Sequence, residues 1–496
     1  MQDQHHRFVD TMEDSRSFSS GWGQRRDLYD PVAEQLDLDR KNLLAKEMNE
    51  LTVQERERVY EEIHGVADIV EETPELVAAS LQKMRSELAH ISRPKRKALD
   101  RAFFLRPGLE TDDKLHMMFL RCDRFDAAKA AAKMCRHFEH KLMLFGDEAL
   151  PRDITLDDLT DKEMALMYRG ANIFFSPNDR GGRNVRLINA ASFSVDDWQG
   201  CLRYLWYQVM AALEDEEVQK RGVVDVSNFH GEMKFSVSDM IVLLHRCKGV
   251  MRDWPMRNCG FHLCYENPIF QSFINALQLV MGKDRRLRER SHFGSKLETR
   301  YILISFGILL EESLTEGCGS RSSETIDSYL ADRRGKEAMK KSQMDLVFQQ
   351  DGVIPYPNPA DVMMGRSKKW IGNTRFASLV NSYTEKYNKG SERLDKTVVA
   401  MEVLHTIHSE GGRFIDRTKQ GWKVVDDSVA REKISQALRM AVLKQQQNAA
   451  ATLNTDTPKF PDDHGARPLQ ADGLSSNEAG DEPPAFPVGP NKRQRT

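Results

Sequence analysis

Two histidine pairs could approach a metal. His137 and His140 lie three positions apart, as do His405 and His408, and that spacing puts each pair on one face of a helix. Glu139 sits between the first two without completing an H-E-x-x-H zinc pattern, so both pairs read as ordinary polar histidines. Cys259 and Cys264 would need a positioned histidine and a depressed pKa to act as nucleophiles, and they fall in a strand-like run that reads as buried. Gly317-Cys318-Gly319 lacks the third glycine and the strand–helix setting of a dinucleotide loop, and no G-x-x-x-x-G-K-[ST] occurs. No motif supports catalysis, and the chain is expected not to be an enzyme and to need no metal or cofactor.

Charge offers a different chemistry. Lys283, Arg285, Arg286, Arg288 and Arg290 form a run interrupted by Asp284 and Glu289, usually a solvated face. Directly before it, Pro268 to Met281 holds no charged residue in 14 positions, and its apolar side chains cover more than one helical stripe. At about 1.5 Å per residue this segment spans roughly 21 Å, too short for a bilayer. It is either a core helix or a helix covering an apolar cavity.

These residues sit in a chain of 496 with 72 Lys plus Arg against 75 Asp plus Glu, a net charge of −3 that excludes a basic protein overall. A hydrophobic content of 40% supports a packed core and excludes global disorder. The seven cysteines form no C-x-x-C pair and fit neither a zinc ribbon nor a disulfide framework, which points to a reducing compartment. Neither a secretory signal nor an apolar run of about 18 residues is present, so a soluble protein is expected.

Residues 1–51 are polar and read as a disordered or loosely helical arm. Thr52 with Glu55 makes a capping box, and Thr73 before Pro74 opens a helix whose buried stripe is Leu76, Val77, Leu81, Met84 and Leu88. Asp126 caps a second helix with the stripe Ala128, Ala131, Cys135, Phe138, Leu142 and Phe145, making 52–150 a helical lobe. Between 151 and 320 the pattern alternates. A hairpin signal at Asn178 to Gly182 lies between Ile173-Phe174-Phe175 and Val185 to Ile188, a helix carries Trp198 to Leu213, and strands at Gly222 to Val226 and Gly260 to Tyr265 flank a helix around Met240 to Cys247. The fold class is α/β. A charged connector, 321–351, reads as a linker to a module at 352–442. Between Tyr356 and Ala441 that module has 15 Lys plus Arg against 10 Asp plus Glu, with Trp370, Phe376, Tyr383, Tyr387, Phe414 and Trp422 as potential core. The Gln- and Pro-rich tail 443–496 reads as disordered.

The run Phe119-Leu120-Arg121-Cys122-Asp123-Arg124-Phe125-Asp126-Ala127-Ala128-Lys129-Ala130 resembles the signature of the N-terminal helices of CRAL-TRIO proteins. Further blocks follow in that family's order: Asp179 to Val185, Gly222 to Val226, Gly260 to Pro268 with Phe270, and His292-Phe293-Gly294-Ser295. The resemblance covers about 95–318. It implies a bilobal fold, with a helical N-terminal lobe and a sheet whose concave face forms a lipid cavity closed by a gate helix. The uncharged segment would then be the gate. Leu187, Phe261 and Leu263 of the sheet and Phe270, Phe273, Ile274, Leu277 and Met281 of the gate would contact a lipid or other hydrophobic ligand. Lys283, Arg285, Arg286, Arg288 and Arg290 would meet anionic headgroups at a membrane. The phosphatidylinositol-transfer branch uses a Glu and a Lys where this chain has Met256 and Glu289, so the cavity carries over without that headgroup site.

Asp361 to Arg366, Gly372 to Phe376, Gly411 to Phe414, Gly421-Trp422 and Ala430 to Arg439 resemble a domain of unknown function repeated in unicellular algal proteomes. A small α+β unit is implied. Its surplus of five basic charges is modest and carries no base-reading motif, so a protein partner is preferred over nucleic acid. The expectation is a cytoplasmic lipid-binding or lipid-transfer protein, peripherally touching anionic membranes, with the nucleus left open. Its alternative is a scaffold with a closed cavity whose basic module meets nucleic acid or a regulatory protein.

Overall fold

The computed structural model describes residues 31–175, 179–193, 197–231, 237–309, 323–365 and 370–455. The fold is mixed α/β, with a mostly parallel five-stranded sheet and a small three-stranded one. Contacts divide the chain into one compact unit, Met1–Ala441, and a second, Val442–Thr496, whose described part is the end of a long helix.

The first unit opens with helices α1 (Pro31–Asn49), α2 (Val53–His64), α3 (Pro74–His90), α4 (Arg93–Leu105), α5 (Asp113–Cys122) and α6 (Ala127–Phe145). Their starts are set locally. Thr52 accepts from the Glu55 amide at 3.2 Å while Glu55 accepts from the Thr52 amide at 2.8 Å, and Thr73 and Asp126 cap α3 and α6 as their sequences imply. After α5 the chain turns through Arg124 and Phe125 at φ 52° and 65°. This left-handed turn is held by the Phe125 amide on the Leu120 carbonyl at 2.7 Å and by Arg124 on Glu62 at 2.9 Å. Ala131, Cys135, Phe138 and Phe145 are buried, whereas Ala128 and Leu142 are exposed and Met134 and Leu144 take the inner positions. The inner face is therefore rotated from the expected stripe at both ends of α6.

α7 (Asp161–Tyr168) leads into the sheet, built from β1 (Asn172–Phe175), β2 (Asn184–Asn189), β3 (Val223–Asn228), β4 (Asn258–Tyr265) and β5 (Glu289–Phe293) in sequential order. β1 pairs antiparallel with β2 and every later pair is parallel, so helices must cross over between strands. They are α8 (Trp198–Ala212), α9 (Glu216–Arg221), α10 (Val237–Arg252), α11 (Ile269–Val280) and α12 (Lys283–Arg288), with α13 (Lys296–Ser305) after β5. A bulge beside Val223 and Val224 sets the face of Cys259, which joins Cys264, Val185, Leu187, Val224, Val226, Leu303 and Ile308 in one apolar layer. The opposite face carries Leu263 and Tyr265 against α11.

The interval 321–351, expected as a linker, is helix from Ser323 to Asp351 (α14). Ile326 and Leu330 are buried, and Arg333 reaches Glu214 at 2.6 Å and the Tyr207 hydroxyl at 3.2 Å, so this helix docks on the larger domain. Beyond it, β6 (Val362–Met363), α15 (Ile371–Lys389), α16 (Arg393–Ser409), β7 (Phe414–Arg417), β8 (Trp422–Val424) and α17 (Asp427–Thr455) form the expected α+β module. Ile354, Met363, Trp370, Ile415 and Trp422 join one continuous core with Leu99, Leu105 and Phe119 of the helical lobe. The segment read as an entirely disordered tail begins as helix, since α17 runs to Thr455; residues 456–496 lie outside those described.

Candidate functional site

α11 is the uncharged segment seen in the sequence. Phe270, Phe273, Ile274, Leu277 and Met281 recur at helical spacing and pack with Ala190, Phe229, Leu263 and Tyr265. Phe273 is 1% exposed and lies 5.6 Å, ring to ring, from Phe229. A polar stripe runs beside this one. The Tyr265 hydroxyl donates to Gln271, and Gln271 Nε2 donates to Asn275 Oδ1 at 3.0 Å.

Pairing of β3 and β4 sets Asp225 beside Phe261, on the α11 side of the sheet. There Arg186 Nε donates to Asp225 Oδ1 at 2.7 Å, with both side chains nearly inaccessible and Trp254 5.7 Å from the guanidinium. This pair, with Ser227 and the buried Glu289 on the same face, gives the α11 side of the sheet a polar part beside the apolar one of Leu263 and Tyr265.

Of the eight residues expected to contact lipid, the structure places seven together on this side of the sheet or on α11. Leu187 is the exception. It pairs with Val226 and belongs to the layer under α13, because β2 alternates and puts Arg186 and Ile188, not Leu187, on the α11 face. The correction follows from strand parity, which the resemblance alone did not set.

The basic run is engaged with acids and carbonyls. Lys283 Nζ donates to Glu50 at 3.0 Å, Arg288 Nε to Glu62 at 2.7 Å, and Arg285 Nε to Glu289 at 3.3 Å while lying 4.2 Å over the Phe261 ring. Arg286 makes two 2.7 Å bonds to Glu47 and turns its Nη1 onto the carbonyls of Gln278, Leu279 and Met281, which caps the C-terminal end of α11. Arg290 donates to the carbonyls of Leu287 and Glu289. Glu289 is buried, and desolvation raises its pKa against the pull of Arg285. Met256 is likewise buried, in the core of the helical lobe, and presents no polar group.

Sequence reading missed the acids that hold this run. Glu47 and Glu50 come from the arm expected to be disordered or loosely helical; α1 packs along α11, with Leu36 buried and Arg40 Nη1 donating to Gln278 Oε1 at 3.1 Å. Leu36, Leu44 and Met48, spaced eight and four apart, are the signal that marks its inner face.

Neither histidine pair gathers ligands. His137 stacks on Trp206 at 4.3 Å and burial depresses its pKa, while His140 bonds Asp253 at 3.1 Å. His408 lies 3.8 Å from Asp427, and His405 is exposed. No cluster of three metal-binding side chains occurs among the described residues. Burial raises the thiol pKa of Cys259, and of Cys264 to about 12, opposite to what a nucleophile requires. Gly317 to Gly319 lie outside the described residues. No helix among those described is long and apolar enough to cross a membrane.

In the C-terminal module the quoted signature has a structural reason. Asp361, fully buried, accepts from the Asn358 amide at 2.8 Å, from the Arg413 amide and Nε at 3.0 Å each, and from Arg413 Nη2 at 2.9 Å. Its carbonyl accepts the Trp370 indole at 2.9 Å. Gly372 passes so close that an added Cβ would sit 2.1 Å from that carbonyl oxygen. Asn373 bonds both the amide and the carbonyl of Met363, at 2.8 and 3.0 Å. A groove of about 400 Å³ beside this knot is lined by Val362, Phe376, Leu379 and Ile407, by Arg375 and Glu410, and by the hydroxyl residues Thr374, Ser378 and Ser382.

Residues 361–440 match the family described as Domain of unknown function (DUF6824). The DUF6824 segment thus spans β6 to about the first half of α17, and the Asp361 knot lies at its start. No match to a CRAL-TRIO family model accompanies it, so the resemblance over about 95–318 rests on the motifs and the α/β architecture alone. No curated protein matches the chain.

Proposed function

We propose that the chain binds a lipid or similar hydrophobic ligand between the sheet face of Leu263 and Tyr265 and helix α11, and that it meets anionic membrane surfaces beside that helix. The carrying observation is α11 itself: it has no charged side chain, and four large apolar residues of the helix, with Met281 just after it, pack toward this sheet face. Separating such a helix from the sheet creates a space lined by apolar groups. Each methylene moved from water into it contributes about 0.8 kcal/mol, which extracts an acyl chain or a terpenoid without covalent chemistry. The proposal includes no catalytic step.

The test uses the full chain. Native mass spectrometry and organic extraction of the purified protein are expected to show one lipid per chain, exchangeable for a fluorescent fatty acid or a fluorescent phospholipid. A ligand-free mass together with failure to load either probe would mean that α11 is permanently core.

A second reading concerns the DUF6824 segment as an interaction module. The groove of Phe376, Leu379 and Ile407, lined also by Thr374, Ser378, Ser382 and the Arg375–Glu410 pair, supports a protein partner over nucleic acid, because it mixes apolar, hydroxyl and paired charged groups and offers no cationic track.

A further inference from the structure

Four of the five cations that follow α11 are held by carboxylates, in two different ways, while Arg290 bonds only backbone carbonyls. Arg285 and Arg288 are bound by Glu289 and Glu62, which belong to β5 and α2. Arg286 and Lys283 are bound by Glu47 and Glu50, 239 and 233 positions earlier, on α1 and just after it. Movement of α1 alone would therefore take the carboxylates from Lys283 and from the Nε and Nη2 of Arg286, whose Nη1 stays on the α11 carbonyls, and would leave the other two cations paired.

We propose that α1 is an intramolecular cover over a membrane-docking surface, with Glu47 and Glu50 standing where anionic phospholipid headgroups bind. The chemistry is interchangeable at Arg286. Its planar fork takes Glu47 through two parallel bonds of 2.7 Å, and the same fork matches two oxygens of a phosphate. Lys283 and Glu50 are substantially exposed, at 39% and 51% of their side-chain surface, so that pair resists exchange little. Apolar surface adjoins the cations: Leu279 and Val280, at the end of α11 that Lys283 to Arg290 follow, are half-buried. Cations beside an apolar helix suit the interface of an anionic bilayer better than they suit a free phosphate or an acidic protein.

This inference rests on the membrane contact in the proposed function. Co-sedimentation of the full chain with phosphatidylcholine vesicles, and with vesicles that also contain phosphatidylserine, tests it. Glu47→Gln with Glu50→Gln is expected to strengthen binding to the phosphatidylserine vesicles roughly 30-fold, the effect of two uncovered cations near an anionic surface. The gain falls with added salt and is absent on phosphatidylcholine. Adding Lys283→Gln takes back part of it, and Leu36→Ala, which loosens α1 without altering either acid, shifts binding in the same direction. Amides of α1 in the wild type are expected to exchange faster when phosphatidylserine vesicles are added. An equal gain on both vesicle types would attribute the effect to exposed core and overturn the cover. So would wild-type binding with α1 amides still protected. If no form binds either vesicle, the membrane contact itself falls, and the cover with it.

Discussion

The indole Nε1 of Trp422 donates to the backbone carbonyl of Leu105 at 2.7 Å, across 317 residues of sequence. The ring meets Phe104 edge-on at 5.7 Å, and Arg417 lies 4.8 Å over the other side chain of that pair, Phe104. A tryptophan whose single donor is spent on α4 belongs to the helical lobe as much as to β8.

Trp422→Ala is therefore expected to cost about 3–5 kcal/mol, and to cost it across the whole Met1–Ala441 unit. Trp422→Phe keeps most of the apolar area but leaves the Leu105 carbonyl without its donor, a loss of about 1–2 kcal/mol. Urea unfolding followed by fluorescence and by far-ultraviolet circular dichroism should give coincident transitions. A separate transition for residues 352–442 would show that the shared core does not couple the two regions.

What was legible in the sequence was local. Thr52 with Glu55, Thr73 with Pro74, and Asp126 announce helices because a cap and its amide are three residues apart. The strand at 223–228 and its neighbour at 258–265 were visible as short apolar runs between turn residues. Long-range partners were not visible. α1 has a polar sequence, and what orders it is Arg286 and the flank of α11 more than two hundred positions away. The helix at 323–351 looked like a connector because only a few of its side chains, among them Ile326, Leu330 and Arg333, are buried. Leu187 lies on the α13 face because parity along β2 is set by its pairing with β3, which no local pattern shows.

Asp361 anchors the DUF6824 segment through four bonds to Asn358 and Arg413. Asp361→Ala removes the acceptor for two part-buried amides and for a guanidinium, with an expected loss of about 3 kcal/mol. Asp361→Asn preserves the shape and loses the charge, so it is expected to fall between wild type and alanine. Chemical denaturation of the three forms checks that order, and equal stability of wild type and alanine would show that the knot contributes nothing.

His262 Nδ1 and His292 Nε2 lie 3.0 Å apart in a buried stack near Phe306 and His64, with Arg290 and Arg183 close by. Burial, reinforced by Arg290, pushes His292 down to about 4, and burial with the neighbouring cations pushes His262 well below its usual value. Histidines depressed in the folded state take up protons more readily when unfolded, so stability is complete above about pH 6.5 and is lost as pH falls toward 4. For His292 alone the loss is at most about 3 kcal/mol. His292→Gln is expected to make the fall of the melting temperature between about pH 7 and about pH 4.5 shallower, His262 keeping its own share; a wild-type profile already flat over that window would contradict the pair's role.

Leu187 and Leu263 separate ligand contact from fold maintenance, because both are almost fully buried, at 2% and 1%, on opposite faces of the same sheet. Leucine-to-alanine changes in a core cost about 2–5 kcal/mol through lost transfer energy and the cavity left behind, and nothing in the burial of these two residues favours a different cost at either site. Ligand loading should nevertheless respond at one site only. Leu263→Ala alters the layer under α11 and is expected to change loading of a fluorescent phospholipid severalfold. Leu187→Ala opens space beneath α13, where the proposed ligand does not reach, and should leave loading as in wild type once both variants are compared well below their melting temperatures. If Leu187→Ala disturbs loading as much as Leu263→Ala, then either the ligand lies under α13 or the two faces respond as one, and the site between the sheet and α11 loses its support.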